Sequence, residues 1–361
     1  NTWAQLGQIE IDDTSGLITR VAYNLNKITN EPDRVFGEGA IIFPGMGDIH
    51  IHAREDNTGK QIYKEEYRTA AAAALNGGVV HVSAMPNTPN PVTTKENFTW
   101  HRNRVADINH PVSILNYVGI GPGDRPIGEP GEHFYKAFFG KSVGNLTFYD
   151  EHELEETLRH YHGHHVSFHV EYEPFIEASR DGKTQSERRP IGAVNHGLKL
   201  LLPMIERHNI HAKLCHWSTG GDSFDMIREH REKMKKANGP YTTIEVSPLH
   251  LMFDTSMTDK DPSLWLKIQM NPAIQGPEHR RQLIDGLRSG FIDYIATDHA
   301  PHTEEEKCSA FARMQEDFPH EKTNVALADR TAREKHYDFK RICCEDGMSG
   351  APWLDTYAPV V

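Results

Sequence analysis

The sequence predicts a (β/α)8 barrel preceded by a small β-sheet segment. Three observations predict it. From Phe43 onward, eight apolar strand candidates alternate with helical stretches. Polar and titratable residues recur at the C-terminal ends of those strands, where a barrel of this kind carries its active site. A doubly wound open sheet would also alternate, but no glycine-rich phosphate loop follows the first strand to favour it.

Ahead of Phe43, "GQIEIDDTSGLITRVAYN" alternates apolar and polar residues around "DTSG", the pattern of a hairpin. Residues 1–42 are therefore read as the small sheet segment and residues 43–361 as the barrel. The strand candidates are "GDIHIH", "GVVHVSAMP", "VSILNYVGI", "FYKAFFG", "HVSFHVE", "AKLCHWS", "YTTIEVSP" and "DYIATDHAP". Helices are expected over 64–76, with acidic residues early and a "GG" stop, and over 194–208, 222–237 and 277–289, the last with Pro277 near its start.

Composition narrows the function classes. Among 361 residues, 39 Lys and Arg face 51 Asp and Glu, a formal charge of −12 that argues against a nucleic-acid or anionic-membrane binder. No apolar run approaches the ~20 residues of a membrane span. "NTWAQLGQIEIDD" has neither the basic start nor the apolar core of a signal peptide. Cys215, Cys308, Cys343 and Cys344 form no CxxC pair, and four cysteines make no disulfide framework for so long a chain, so a reducing, cytoplasmic setting is expected.

The chemistry begins at the end of the first barrel strand. In "HIHAR" the side chains of His50, His52 and, if the extension persists, Arg54 share a face. Two adjacent neutral imidazoles invite a divalent metal, and an arginine beside them calls for an anionic ligand. Later strand ends add Asn87 of "MPNT", Lys136, His169, His216 and Asp298. Four histidines, an aspartate and a lysine are suitable ligands for two divalent metals. Imidazole and carboxylate suit zinc, and water held between two such ions is a usable nucleophile near neutral pH.

Each residue also has a plainer reading. With 23 histidines in the chain, most must be surface or hydrogen-bonded groups. His81 reads as a core histidine, "RHYHGHH" (159–165) as a solvated helix end, "AAAAAL" (70–75) as a packing face, and Cys215 as buried filler. Lys136 competes with Lys141, and either can be an ordinary snorkelling lysine. Arg54 has the alternative of a structural salt bridge. "IEVSPLHL" reads as barrel wall, with no role for His250.

Taken together, "GDIHIHAR", "MPNT", "YKAFFGKSVGN", "SFHVE", "KLCHWST", "IEVSPLHL", "MNP" and "ATDHAPHTEEEK" resemble, in order over roughly residues 40–307, the cyclic amidohydrolases and most closely the dihydroorotases. That resemblance implies a binuclear zinc hydrolase interconverting N-carbamoyl-L-aspartate and L-dihydroorotate, the third step of pyrimidine synthesis. His50, His52 and Asp298 would hold the more buried of two Zn2+ ions, and His169 and His216 the second. Lys136, N6-carboxylated by carbon dioxide, would bridge them. Asp298 would shuttle the proton to the leaving amide nitrogen, and Arg54, Asn87 and His302 would grip the ring carboxylate of the substrate. A homodimer or higher homo-oligomer is expected.

Hydantoinases and dihydropyrimidinases share the metal ligands, but the carboxylate-gripping trio argues against them. A catalytically inactive scaffold relative would have lost ligands, and here none is lost. Two departures stand out. Where the family often has an arginine after "NPP", this chain reads "NPAIQ", ending in Gln275. A long charged segment, 308–348, follows "HTEEEK", and the last barrel helix and the strands completing the small sheet are expected to be missing from residues 43–361.

Overall fold

The computed structural model describes residues 6–23, 27–37, 39–40, 42, 44–182, 184–260, 267–307 and 349–356. The 308–348 segment, with Cys308, Cys343 and Cys344, lies outside the described residues. The chain divides into two compact units, Asn1–Gly45 and Met46–Val361.

In the first unit, β1 (Gly7–Ile11) and β2 (Ile18–Tyr23) form an antiparallel hairpin, Gly7 opposite Tyr23 and Ile11 opposite Ile18. The "DTSG" turn is tied by the Asp12 carboxylate, which accepts from the Ser15 amide at 2.6 Å and its hydroxyl at 2.7 Å.

The second unit is the barrel. Its parallel strands are β3 (Met46–Ile51), β4 (Val79–Ala84), β5 (Ser113–Asn116), β6 (Val118–Ile120), β7 (Phe134–Phe139), β8 (Thr147–Phe148), β9 (His165–Val170), β10 (His211–Leu214), β11 (Thr242–Val246) and β12 (Tyr294–Ile295). β3, β4 and β5 pair in that order, as do β6, β7, β9, β10, β11 and β12. Only Tyr117 separates β5 from β6, so the two make one stave that joins both runs. Short β8 pairs with the end of β7. The eighth stave returns to the first through a single bridge, Ile51 to His299, and the His52 amide donates to the His299 carbonyl at 2.7 Å. Buried Asp48 adds to this closure by accepting from the Thr297 amide (3.1 Å) and hydroxyl (2.5 Å). The eight predicted strands thus correspond to the eight staves, although "DYIATDHAP" contributes a ladder of only two residues.

Outer helices cover the ring. The one over 67–76 opens with a capping box between Glu66 and Thr69, three residues later than the sequence pattern indicates. It buries Tyr67, Ala70, Ala71 and Ala74, which lie on one stripe of a 3.6-residue period. The alanine run is therefore packing surface. The helices over 95–108, 191–208 and 222–237 each stop at an asparagine in left-handed backbone: Asn109, Asn209 and Asn238.

Alternation along the strands sorts the layers. Tyr135, Ala137 and Phe139 of β7, Val166, Phe168 and Val170 of β9, and Ile244 and Val246 of β11 join Leu198, Leu201 and Ile205 in one apolar core between sheet and helices. The intervening residues, Lys136, Ser167, His169, Lys213 and Glu245, fall on the other face, inside the barrel. The hydrophobic period thus drives the chemical groups inward.

Candidate metal centre

Six of the expected ligands gather at the strand ends. His50 and His52 leave β3 on the same face, and one Asp298 oxygen, Oδ1, lies 3.2 Å from His50 Nε2 and 3.0 Å from His52 Nε2. These three residues form a group able to hold a metal ion among the described residues. On the far side of the His50 ring stands His216, with ring centroids 5.2 Å apart, and His169 Nδ1 approaches His216 Nε2 at 3.1 Å. Two nitrogens bound to one tetrahedral zinc lie about 3.3 Å apart, so the second pair has the spacing of a chelate.

Asp298 has φ 53° and His216 has φ 36°, the left-handed region that side chains other than glycine rarely adopt. For His216 the effect is plain. Ala212 and Leu214 point outward, so strict alternation would send residue 216 outward too, and the backbone twist turns it back to the site. Arg54, φ 59°, shares this strain. Three of the site residues thus carry backbone costs of order 1 kcal/mol or more each, to be met by the packing around them.

The protonation pattern favours a cation. Burial brings His52 down to about 4 and holds His216 well below the usual imidazole range, so both are bare lone-pair donors at neutral pH. His50 is different: burial opposes its charge, but Glu245 and Asp298 outweigh burial and push it up to about 9. Its Nδ1–H donates to Glu245 Oε1 at 2.6 Å, which leaves Nε2 facing the Asp298 carboxylate. Two acceptors face to face need a positive charge between them, either a second proton or a metal ion.

Lys136 is fully buried, with its Nζ lacking any hydrogen-bond partner and lying 5.0 Å from the Phe138 ring centre. Its charge acts on His50, His169, His216 and Asp298, which places it among the ligand set, whereas Lys141 is exposed. A buried ammonium with no acceptor is costly, and conversion to an anion between two divalent ions would remove that cost. The residues present therefore fit a bridged pair of divalent ions.

Arg54 and His302 are brought together, Nη2 to Nε2 at 3.3 Å. Arg54 is buried, its Nε has no partner, and among the described residues no carboxylate lies within salt-bridge distance of it. Among the described residues it therefore makes no structural salt bridge. Burial first, then the charges of Arg54, Lys64 and Lys307, hold His302 down at about 4. Asn87 sits on the loop after β4; its Nδ2 reaches Ser142 only at 3.5 Å and its Oδ1 is unpartnered. No contact joins it to Arg54 or His302 among the described residues.

Two carboxylates escaped the sequence reading. Glu245, in the "IEVSPLHL" segment taken for barrel wall, accepts from His50 Nδ1, the His216 amide (3.1 Å) and Lys213 Nζ (2.6 Å). Glu171, the last residue of "SFHVE", bonds His169 Nε2 at 3.0 Å and pairs with Arg189. Their only signal was an acidic residue at the end of an apolar strand. Gln275 holds the backbone of that Arg189, donating to its carbonyl at 3.2 Å. His250 is buried, with Nε2 on the Pro272 carbonyl at 3.1 Å. The "RHYHGHH" tract runs from the end of the 151–158 helix to the start of β9; His160 lies beside Arg125 and Arg159, but Tyr161 and His164 are buried rather than solvated, and His81 is half-buried near Ser83.

The chain resembles known proteins over most of its length. The family model described as dihydro-orotase-like matches residues 39–152. The dihydroorotase of Bacillus subtilis (strain 168) is 34% identical over 314 residues, covering 83% of this chain and 69% of that protein. That of Bacillus pumilus is 35% identical over 295 residues, covering 76% and 64%. The chain spans about two thirds of the length of these relatives. Among solved structures, the L-hydantoinase (dihydropyrimidinase) from Arthrobacter aurescens superposes with a TM-score of 0.69 at 18% identity, covering 94% of this chain and 69% of that one. A D-hydantoinase from Thermus sp. gives 0.63 at 19% over the same shares. Fold and strand-end site together define a cyclic amidohydrolase. Within that class, the chain belongs to the dihydroorotase family.

Proposed function

We propose that this protein acts as a dihydroorotase, interconverting N-carbamoyl-L-aspartate and L-dihydroorotate in pyrimidine synthesis. The observation that carries this reading is Arg54: a buried guanidinium beside His302, with no carboxylate in salt-bridge reach among the described residues, is a site for an anion. The ring carboxylate of dihydroorotate supplies that anion, with Asn87 as a third donor. His50, His52 and Asp298 would hold one Zn2+ and His169 and His216 the other, with N6-carboxylated Lys136 between. Such ions polarise the ring carbonyl and make water a nucleophile near neutral pH. The chain's own contribution is Asp298, which takes the proton of the attacking water and delivers it to the leaving amide nitrogen. We also propose a cytoplasmic enzyme, supported by the sparse cysteine usage, four in 361 residues, and a homo-oligomer, the state that the family resemblance implies.

Arg54→Met tests the assignment. Dihydroorotate hydrolysis should fall about tenfold to a hundredfold, the worth of a charge-assisted contact of roughly 1.5–3 kcal/mol, with metal content unchanged. Dihydrouracil has no carboxylate, so its hydrolysis should be poor in the wild type and barely altered in the variant. A wild type that prefers dihydrouracil overturns the reading in favour of a hydantoinase.

A further inference from the structure

Outside the ligands themselves, the barrel interior holds two arrangements of the same kind. Behind His50 stands Glu245, fully buried, and behind Glu245 stands Lys213. Behind His169 stands Glu171, also fully buried, and behind it Arg189. Each is a line of imidazole, carboxylate and cation, one line for each half of the site. The two use opposite ring nitrogens. Glu245 takes His50 Nδ1 and leaves Nε2 to face Asp298, while Glu171 takes His169 Nε2 and leaves Nδ1 to face His216.

A neutral imidazole carries one proton, so the nitrogen that donates to a carboxylate cannot also bind a metal. The partner of the outer nitrogen therefore decides which nitrogen is offered inward. Glu245 does more than this. The oxygen that holds His50 also accepts from the backbone amide of His216, the residue in left-handed backbone, and so ties together one ligand from each half. Lys213 and Arg189 neutralise two carboxylates that would otherwise be stranded in the interior.

We propose that Glu245 and Glu171 are positioning residues, one for each half of the centre, fixing which nitrogen of His50 and of His169 is presented to metal. This rests on the binuclear reading above and goes beyond it: Glu245, which could itself join a metal group with His50 and Cys215, is instead assigned to the outer nitrogen of His50, and Glu171 to that of His169. A core salt bridge kept only for stability would not need its carboxylate on a ligand's outer nitrogen.

The test is zinc affinity of the metal-stripped, refilled protein, measured by competition with a chelating dye, beside the melting temperature of the metal-free form. Glu245→Gln and Glu171→Gln should each weaken zinc binding by about 10–100-fold, the usual cost of losing such a partner. Their effects should multiply in the double variant. Glu245→Gln/Lys213→Met and Glu171→Gln/Arg189→Met leave no unpaired buried charge and serve where a single variant does not fold. They should show the same weakening with a metal-free melting temperature near that of wild type. Zinc affinity within threefold of wild type in these folded variants overturns the proposal and leaves the binuclear reading standing. Fewer than two zinc ions on the wild type refilled in the presence of bicarbonate overturns both.

Discussion

Asp298→Asn should keep the barrel and part of its metal yet lose about 10²–10⁴ of its turnover, the range spanned by a positioned acid–base group. Asparagine nearly matches the aspartate in shape, and it tolerates the left-handed backbone that residue 298 adopts, φ 53°. The substitution therefore leaves the main chain unburdened and can still meet His50 and His52 at about the same place. What it cannot do is accept a proton. Turnover measured on zinc-refilled protein decides the matter: wild-type-like rates would rule out Asp298 as the base. In the metal-free chain the two imidazoles and Lys136 outweigh burial and hold the carboxylate below its usual range, so it stands ionised.

Lys136→Met should have the second largest effect. Methionine fills a similar volume in the fully buried position but has no amine to carboxylate. The proposed bridge forms when the neutral Nζ attacks carbon dioxide, making one N–C bond and releasing one proton. Without it the second ion loses its anionic ligand, and turnover should fall by about 10²–10³, several kcal/mol of lost charge stabilisation. The wild type offers a matching experiment. Metal-stripped protein in carbon dioxide-free buffer should take up less than two equivalents of zinc, and bicarbonate should restore the second. Two equivalents bound by Lys136→Met with normal turnover would dismiss the bridge.

Much of the fold was legible because a barrel strand covered by helices declares itself as a short apolar run, and eight of them fell in sequence. The candidate ligands were legible for a related reason: His50, His52, Lys136 and His169 break those apolar runs at the inward positions. His216 has outward parity and reaches the site only through a backbone twist that no local pattern announces. The supporting carboxylates were hidden more deeply. Glu245 is defined by His50, 195 residues away, and by Lys213 on the neighbouring strand; in the sequence it is one acidic residue among many. Arg189 lies between helices, where an arginine is ordinarily a surface residue, and only the folded chain sets it against Glu171. In the folded chain, burial and electrostatic reach to the histidines set Lys136 apart from exposed Lys141.

The thin join between the first and eighth staves has a dynamic consequence. Elsewhere the staves are held by ladders, the longest running six residues from Phe134 to Phe139 along β9, but here one bridge and the bonds around Asp48 and Thr297 close the circle. Amide hydrogen exchange should therefore find its easiest route of opening at this join, ahead of the β7–β9 ladder. His50 and His52 stand on one side of it and Asp298 on the other. An ion gripped by all three acts as a clasp across the gap, and saturation at a hundred times its dissociation constant adds about 2.7 kcal/mol to the closed form. Slower exchange of the His52 amide on zinc addition, with the β7–β9 amides unmoved, is the expected sign that loading the enzyme and latching its barrel are one event.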